Sequence, residues 1–267
     1  MPIDDCQETQ ILSITSTDGG KTWSNPVIAA QLLNDGHPGN IRSPDLPSAE
    51  IDSLGKVYVV WTDCRTENFC NSGNNDLLLI TSSNGTTWSA PLRIPTSTVN
   101  SGVDILIPGL AVDRNTSGSS ARLAVVYYTF PTINCNATGT RNTPACQLNV
   151  GFLDSTDGGA HWSSPVQLAG PMTLTWLPLT TQGFMVADYL SGAIASGADA
   201  NPVFEVAFQP TVGKTCSNLN TGTPGQNWNQ ATFTSLQGLG GSNAATSAPT
   251  NSQAKARVNS SKPQTAN

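Results

Sequence analysis

The chain is short of charge, short of histidine and without long apolar runs, and each shortage removes a class of protein. Charged residues make up 11% of its 267 residues, too few for the salt-laced faces of long exposed helices. No apolar stretch approaches the length of about 20 residues that a membrane-crossing helix needs. The first residues, Met1-Pro2-Ile3-Asp4-Asp5-Cys6, have neither the basic nor the apolar region of a secretory leader. With 12 Lys and Arg against 18 Asp and Glu, the net charge is −6 and the isoelectric point is about 4.7. Such a surface does not attract nucleic acid or an anionic membrane, and neither is expected as a partner. The two histidines, His37 and His161, cannot supply a histidine-rich metal centre, and no Cys-x-x-Cys pair offers a zinc site. No metal and no cofactor are expected.

What the chain has in quantity is turn formers. It holds 24 Gly and 18 Pro among many Ser, Thr and Asn, a composition that suits a turn-rich all-β protein. One eight-residue phrase is written clearly twice: Ser16-Thr17-Asp18-Gly19-Gly20-Lys21-Thr22-Trp23 and Ser155-Thr156-Asp157-Gly158-Gly159-Ala160-His161-Trp162. A worn copy, Thr81-Ser82-Ser83-Asn84-Gly85-Thr86-Thr87-Trp88, lies between them and places Ser83 where the clear copies have Asp. From Trp23 to Trp88 is 65 residues and from Trp88 to Trp162 is 74, a spacing that suits four-stranded propeller blades with generous loops. Ser and Asp side chains bond nearby backbone amides, and Gly takes positive φ freely, so Ser-x-Asp-x-Gly-x-x-Trp reads as a hairpin turn with its Trp covering the blade edge.

The phrase resembles the Asp box of the sialidase, or BNR-repeat, superfamily. The resemblance covers about residues 9 to 236, with Ser16, Asp18, Gly20 and Trp23, Gly85 and Trp88, and Ser155, Asp157, Gly159 and Trp162 as the structural positions. It implies an all-β, sialidase-like β-propeller, of which about three to four four-stranded blades of a six-bladed ring are present. It also implies that each box joins the third and fourth strands of a blade, on the face away from the active site. The expected organisation is a propeller over residues 1–237, with blades at about 1–36, 37–98, 99–170 and 171–237. A low-complexity tail over 238–267 lacks aromatic residues and is expected to be disordered. The Gly238-Leu239-Gly240-Gly241 run reads as a linker.

Strands are expected at Gln10–Ser16 and Pro26–Ala30, at Leu46–Ile51, Val57–Thr62, Leu77–Ser82 and Leu92–Pro95, and at Ile105–Val112, Leu123–Tyr128, Leu148–Leu153 and Val166–Leu168. A fourth unit begins with Phe184–Ile194 and Val203–Phe208. Asp52 and Asp113 recur at matching first turns and read as turn formers. Of six cysteines, Cys64 with Cys70 and Cys135 with Cys146 flank equivalent loops and read as disulfides, while Cys6 and Cys216 have no local partner. Disulfides place the protein outside the cell, and a missing leader and missing blades together read as a truncated reading frame.

Chemistry belongs to the loops at the end opposite the boxes. Arg42 and Asp45, Asp63 and Arg65, and Asp104 are the candidates for substrate binding there, and Asp188 with Tyr189 for catalysis. The superfamily resemblance implies an exo-α-sialidase-type glycoside hydrolase that holds a substrate carboxylate with arginines and attacks with a Tyr assisted by a carboxylate. Arg93-Ile94-Pro95 carries the letters of the family's arginine motif but follows a box rather than precedes one, and no arginine triad is matched. A non-catalytic carbohydrate- or protein-binding propeller, or an inactive fragment, is the competing reading. Asp63 with Arg65 reads more readily as a loop-fixing ion pair, and Tyr189 as a residue packed between blades. A Ser-His-Asp triad would have to rest on His37.

Overall fold

The computed structural model describes residues 9–34, 36–43, 45–70, 74–131, 147–194, 199–209, 229–235 and 238–240. The fold is all-β. Strands β1 (Gln10–Ser13) and β2 (Val27–Gln31) form a hairpin. A four-stranded antiparallel meander follows, built from β3 (Ser48–Ile51), β4 (Val57–Asp63), β5 (Asp76–Ser82) and β6 (Leu92–Ile94). A second meander contains β7 (Asp104–Val112), β8 (Leu123–Phe130), β9 (Gln147–Ser155) and β10 (Val166–Thr173). Two short strands, β11 (Leu179–Thr180) and β12 (Gly183–Phe184), pair with each other. A three-stranded sheet of β13 (Ser191–Ile194), β14 (Ala200–Phe208) and β15 (Asn229–Thr234) completes the described chain.

The central strands carry unbroken apolar runs because both of their faces are covered. Along β4, Tyr58 and Val60 point to one side and Val59 and Trp61 to the other. Leu77 and Leu79 of β5 join the first pair, while Leu78 and Ile80 join the second. The first side meets Ile105, Leu110, Val112, Leu123, Val125 and Tyr127 of the next meander, and the second meets Ile11, Ala30 and Leu32 of the β1–β2 hairpin. β8 repeats the pattern, sending Val126, Tyr128 and Phe130 to a third core with Phe184, Val186, Leu190 and Phe204. Each sheet thus stacks face to face on its neighbours, which is the packing of propeller blades. Burying one Leu or Val side chain in this way contributes roughly 1.5–3 kcal/mol. Contact is so close where β7 passes the segment before β13 that a Cβ on Gly109 would lie 2.6 Å from the Leu190 backbone.

At the lower end, the three hairpins that contain the repeated phrase share one hydrogen-bond scheme. Ser16 Oγ accepts the Gly20 N–H at 2.8 Å, and Asp18 accepts the Lys21 and Thr22 N–H groups at 3.0 and 2.9 Å. Ser155 and Asp157 do the same for Gly159 and His161. Hydrogen bonds from Thr22 and Ser16 hold the Asp18 carboxyl down at about 2, and the backbone and ring of His161 hold Asp157 at about 2.

The worn copy is shifted by one residue from the alignment of letters. Asn84, not Ser83, takes the Asp position and accepts the Thr86 and Thr87 N–H groups at 2.9 and 2.8 Å. Ser82, not Thr81, takes the Ser position and accepts from Gly85 at 2.8 Å. An amide oxygen accepts as a carboxylate oxygen does, so one deleted residue leaves the turn intact. Trp88 and Trp162 pack onto the cores shared with the preceding sheet, whereas Trp23, in the first hairpin, is 58% exposed.

One further expectation is corrected. Phe184–Ile194 is not one strand: Phe184, Val186, Ala187 and Leu190 are all buried, a spacing that alternation cannot produce, and β12 and β13 are separate. Leu239 and Ala200 exchange backbone hydrogen bonds at 2.7 Å. Residues 241–267, Cys6, Cys216 and the Cys135–Cys146 pair lie outside the described residues. Cys64 and Cys70 are bonded to each other.

The shifted register has a direct test. Asn84→Ala is expected to cost about 1 kcal/mol of unfolding free energy, the range for losing a capping acceptor, and Ser83→Ala less than about 0.5 kcal/mol, both read by chemical denaturation. The opposite order would restore the alignment of letters.

Candidate functional site

In a meander the first and third turns share one end, so the boxes and the Asp52 and Asp113 turns lie below. The loop after β4 and those leading into β3 and β7 lie above. Three carboxylates at upper strand ends are fully buried: Asp63 at the end of β4, Asp76 at the start of β5 and Asp104 at the start of β7. A carboxylate stripped of water must find charge or donors, and each does.

Asp63 takes a two-pronged contact from Arg65, with Nε to Oδ1 at 2.7 Å and Nη2 to Oδ2 at 2.8 Å. It also accepts the Trp61 indole N–H at 2.9 Å and the Leu33 N–H at 3.1 Å. With five donors converging on it, the Arg65 backbone N–H at 3.0 Å among them, Asp63 acts as a structural knot between the first hairpin and the next blade. Asp76 takes Arg93, whose Nη2 lies 2.7 Å from Oδ1 and also donates to the Ser97 carbonyl at 2.7 Å. Arg93 therefore anchors the loop that follows its own strand.

Beside Asp76 sits Glu67, carried on the loop closed by Cys64 and Cys70. Its carboxylate accepts the Asn100 N–H at 2.8 Å. Burial first, and then the hydrogen bond and charge of Asp76, push the Glu67 carboxyl up to about 7, against the opposing pull of the Asn100 N–H and Arg93. Two buried carboxyls in contact hold a proton between them more readily than two negative charges.

Asp104 binds a different set. Its Oδ1 accepts the Asn75 backbone N–H at 2.8 Å and side-chain N–H at 3.1 Å, and its Oδ2 lies 2.8 Å from His37 Nδ1. The His37 side chain is 4% exposed, and its Nε2 has no hydrogen-bond partner. Asp45, on the same loop as His37, accepts from Asn34 Nδ2 at 2.6 Å. Partial desolvation raises its pKa, with His37 and Asn34 pulling the other way.

Arg42 and Asp188 meet as an ion pair, and Arg42 Nε donates to Gln182 Oε1 at 2.6 Å. The Arg42 backbone N–H also bonds the Phe184 carbonyl at 2.7 Å. Asp188 and Tyr189 lie in the segment between β12 and β13, not on an inner strand. Tyr189 is 75% exposed and does not pack between sheets.

No family model matches the chain, and no curated protein matches it. Solved structures do. An α-L-arabinanase from Penicillium chrysogenum complexed with arabinobiose is 14% identical, with a TM-score of 0.43 over 73% of this chain and 48% of that one. An α-L-arabinofuranosidase from Fusarium graminearum in complex with an iminosugar inhibitor is 17% identical, with a TM-score of 0.42 and the same coverage. A Trypanosoma rangeli sialidase in complex with sialic acid is 14% identical, with a TM-score of 0.35 over 75% of this chain and 31% of that one. The chain spans about half the length of the first two. The resemblance is a distant one, of fold, to propeller-type glycosidases.

The candidate residues thus separate into two groups. Arg42 and Asp188 come together at a partly open surface, with the exposed Tyr189 next to Asp188 in the chain, whereas Asp63, Arg65 and Asp104 are tied into the loops. His37, Asn75, Asp76 and Glu67 emerge from the structure as members of the upper end. Only His37 carried a readable signal, as one of two histidines beside a Gly-rich turn. Among the described residues, no three His, Cys, Asp or Glu side chains gather as a metal site.

Glu67 makes the upper end sensitive to pH. Its carboxyl sits above the unfolded value of about 4.5, so its protonated form favours the fold. Stability contributed below pH 4.5 is lost as pH rises through about 7. Glu67→Gln mimics the protonated acid, and its melting temperature is expected to fall less than that of the wild type between pH 4.5 and 8. Parallel curves for the two proteins would rule the assignment out.

Proposed function

We propose that the chain is a glycan-binding portion of a glycoside-hydrolase-type propeller of the sialidase-like kind, and that its own upper-end residues hold sugar rather than cleave it. The observation that carries this reading is the Arg42–Asp188–Gln182 cluster, followed in the chain by the exposed Tyr189. A sugar ring offers an apolar C–H face and a rim of hydroxyls. An exposed aromatic ring suits the first, and a fixed set of polar groups suits the second.

The sugar favoured is neutral. Recognition of a sialic acid carboxylate calls for unclaimed guanidinium groups, and Arg42, Arg65, Arg93 and Arg114 are each paired with a carboxylate of the chain itself. The four positive charges are spent internally. The Cys64–Cys70 bond is consistent with an extracellular protein, where glycans are met.

Hydrolysis by the exo-glycosidase route is the second reading, and Glu67 favours it, since burial and the neighbouring Asp76 push its carboxyl up to about 7, toward the protonated form that a general acid needs. Its 1% exposure weighs against contact with substrate. The Tyr189 and Asp188 pair is retained in that reading as nucleophile and helper, on an exposed segment.

Calorimetric titration of the oxidised chain with arabinobiose and with 3′-sialyllactose separates these readings. Arabinobiose is expected to bind, sialyllactose not to bind, and Tyr189→Ala to weaken arabinobiose about tenfold. Preference for sialyllactose, or a Tyr189→Ala variant that binds like the wild type, would overturn the proposal. Release of 4-methylumbelliferone from its α-L-arabinofuranoside or sialoside would move the assignment to the hydrolytic reading.

A further inference from the structure

The worn turn holds the one Asn-Gly dipeptide of the chain, Asn84-Gly85. Asparagine before glycine is chemically labile, because glycine has no Cβ to keep its backbone nitrogen away from the asparagine side chain. Attack of that nitrogen on Cγ closes a five-membered imide and expels ammonia. Asn84 is exposed, so water can reach the imide and ammonia can leave.

The contacts of Asn84 bear on both halves of this reaction. Its Oδ1 accepts three hydrogen bonds, from the Thr87 N–H at 2.8 Å, the Thr86 N–H at 2.9 Å and Ser82 Oγ at 3.2 Å. Donors gathered on a carbonyl oxygen stabilise the negative charge that develops there when a nucleophile adds to its carbon. The Gly85 N–H in turn donates to Ser82 Oγ at 2.8 Å, so one hydroxyl touches both the attacking nitrogen and the oxygen under attack. The imide has two carbonyls, and the one that water enters decides the product. Oδ1 belongs to the side-chain carbonyl, where the donors are, and addition of water there yields aspartate rather than isoaspartate.

We infer that Asn84 is a site of self-deamidation whose product is aspartate: the Gly85 nitrogen displaces ammonia from Cγ, and water then opens the imide at Cγ. Solvent base takes the Gly85 proton in the first step, and the nitrogen regains a proton when the Cγ–N bond breaks. The sum is amide plus water giving carboxylate plus ammonium. The product suits the turn that makes it, because Asp18 and Asp157 hold the same place in the clear copies and accept the same kind of backbone N–H groups. A carboxylate accepts these more strongly than an amide does, so the modification completes the third box. Isoaspartate would put an extra methylene into the main chain and carry the acceptor out of register.

The test is to age the oxidised chain in mildly alkaline buffer beside a synthetic peptide of residues 81–89 and to map both by mass spectrometry, with an isoaspartate-specific methyltransferase to tell the products apart. Aspartate is expected as the main product at position 84 of the chain, and isoaspartate as the main product in the peptide. Asn84→Asp is expected to melt above the wild type at neutral pH. Carboxyls in this position are held at about 2 against an ordinary 3.8, so the advantage is present above 3.8 and lost as pH falls toward 2. An Asn84 that stays intact in the chain while the peptide converts would mean that the turn protects its amide, and would overturn the inference. Isoaspartate as the main product in the chain, or an Asn84→Asp variant that melts no higher than the wild type, overturns it as well. The glycan reading is not used here and is untouched by any of these results.

Discussion

The architecture depends on keeping carboxylates buried at the upper ends of strands without leaving any of them alone. Asp63, Asp76 and Asp104 are all withdrawn from water, and an unpaired charge there would cost several kcal/mol. Two of them recruit a partner from a neighbouring unit, Leu33 for Asp63 and His37 for Asp104, while Asp76 takes Arg93 from the adjacent strand of its own sheet. For Asp63 and Asp104, satisfying the charge and stitching one sheet to the next are therefore the same event. The arrangement also decides what the arginines are free to do, because a guanidinium committed to an internal carboxylate is not on offer to an acidic ligand.

Much of the fold was readable because it rests on local rules. The turn chemistry of Ser16, Asp18 and Gly20 depends on neighbours within a few residues, and the apolar runs of β4, β5, β8 and β9 announce strands covered on both faces. What misled the reading was geometry that letters do not encode. Ser82 and Asn84 form the worn turn after a one-residue deletion, which an ungapped comparison places on Thr81 and Ser83. In the segment from Phe184 to Leu190, burial follows the shape of a crowded core rather than a period of two, so a strand was expected where none forms.

The candidate site was legible by region and not by role. Topology alone puts Arg42, Asp45, Asp63, Asp104 and Asp188 at one end of the molecule. Which of them face solvent depends on contacts across 30 to 146 residues of chain, beyond the reach of any local pattern. His37 illustrates the gap: in sequence it sits in a Gly- and Pro-rich stretch that reads as a loose loop, yet Asp104 at the start of β7 and Asn75 just before β5 turn it into one of the best-supported side chains in the fold.

The two ends of the sheets differ in how they are joined, and that difference bears on how the chain can vary. Below, Gly118 N–H reaches Asp52 at 3.1 Å, Ser53 N–H reaches the Thr116 carbonyl at 3.1 Å, and Ser13 Oγ donates to the Gly85 carbonyl at 2.7 Å. Hairpin tips that meet through backbone groups tolerate a change of letters, and even the shortened 82–88 turn keeps Gly85 within reach of Ser13. The upper rim is seamed through buried carboxylates instead, so there the identity of a side chain, rather than the length of a turn, decides whether two sheets stay joined.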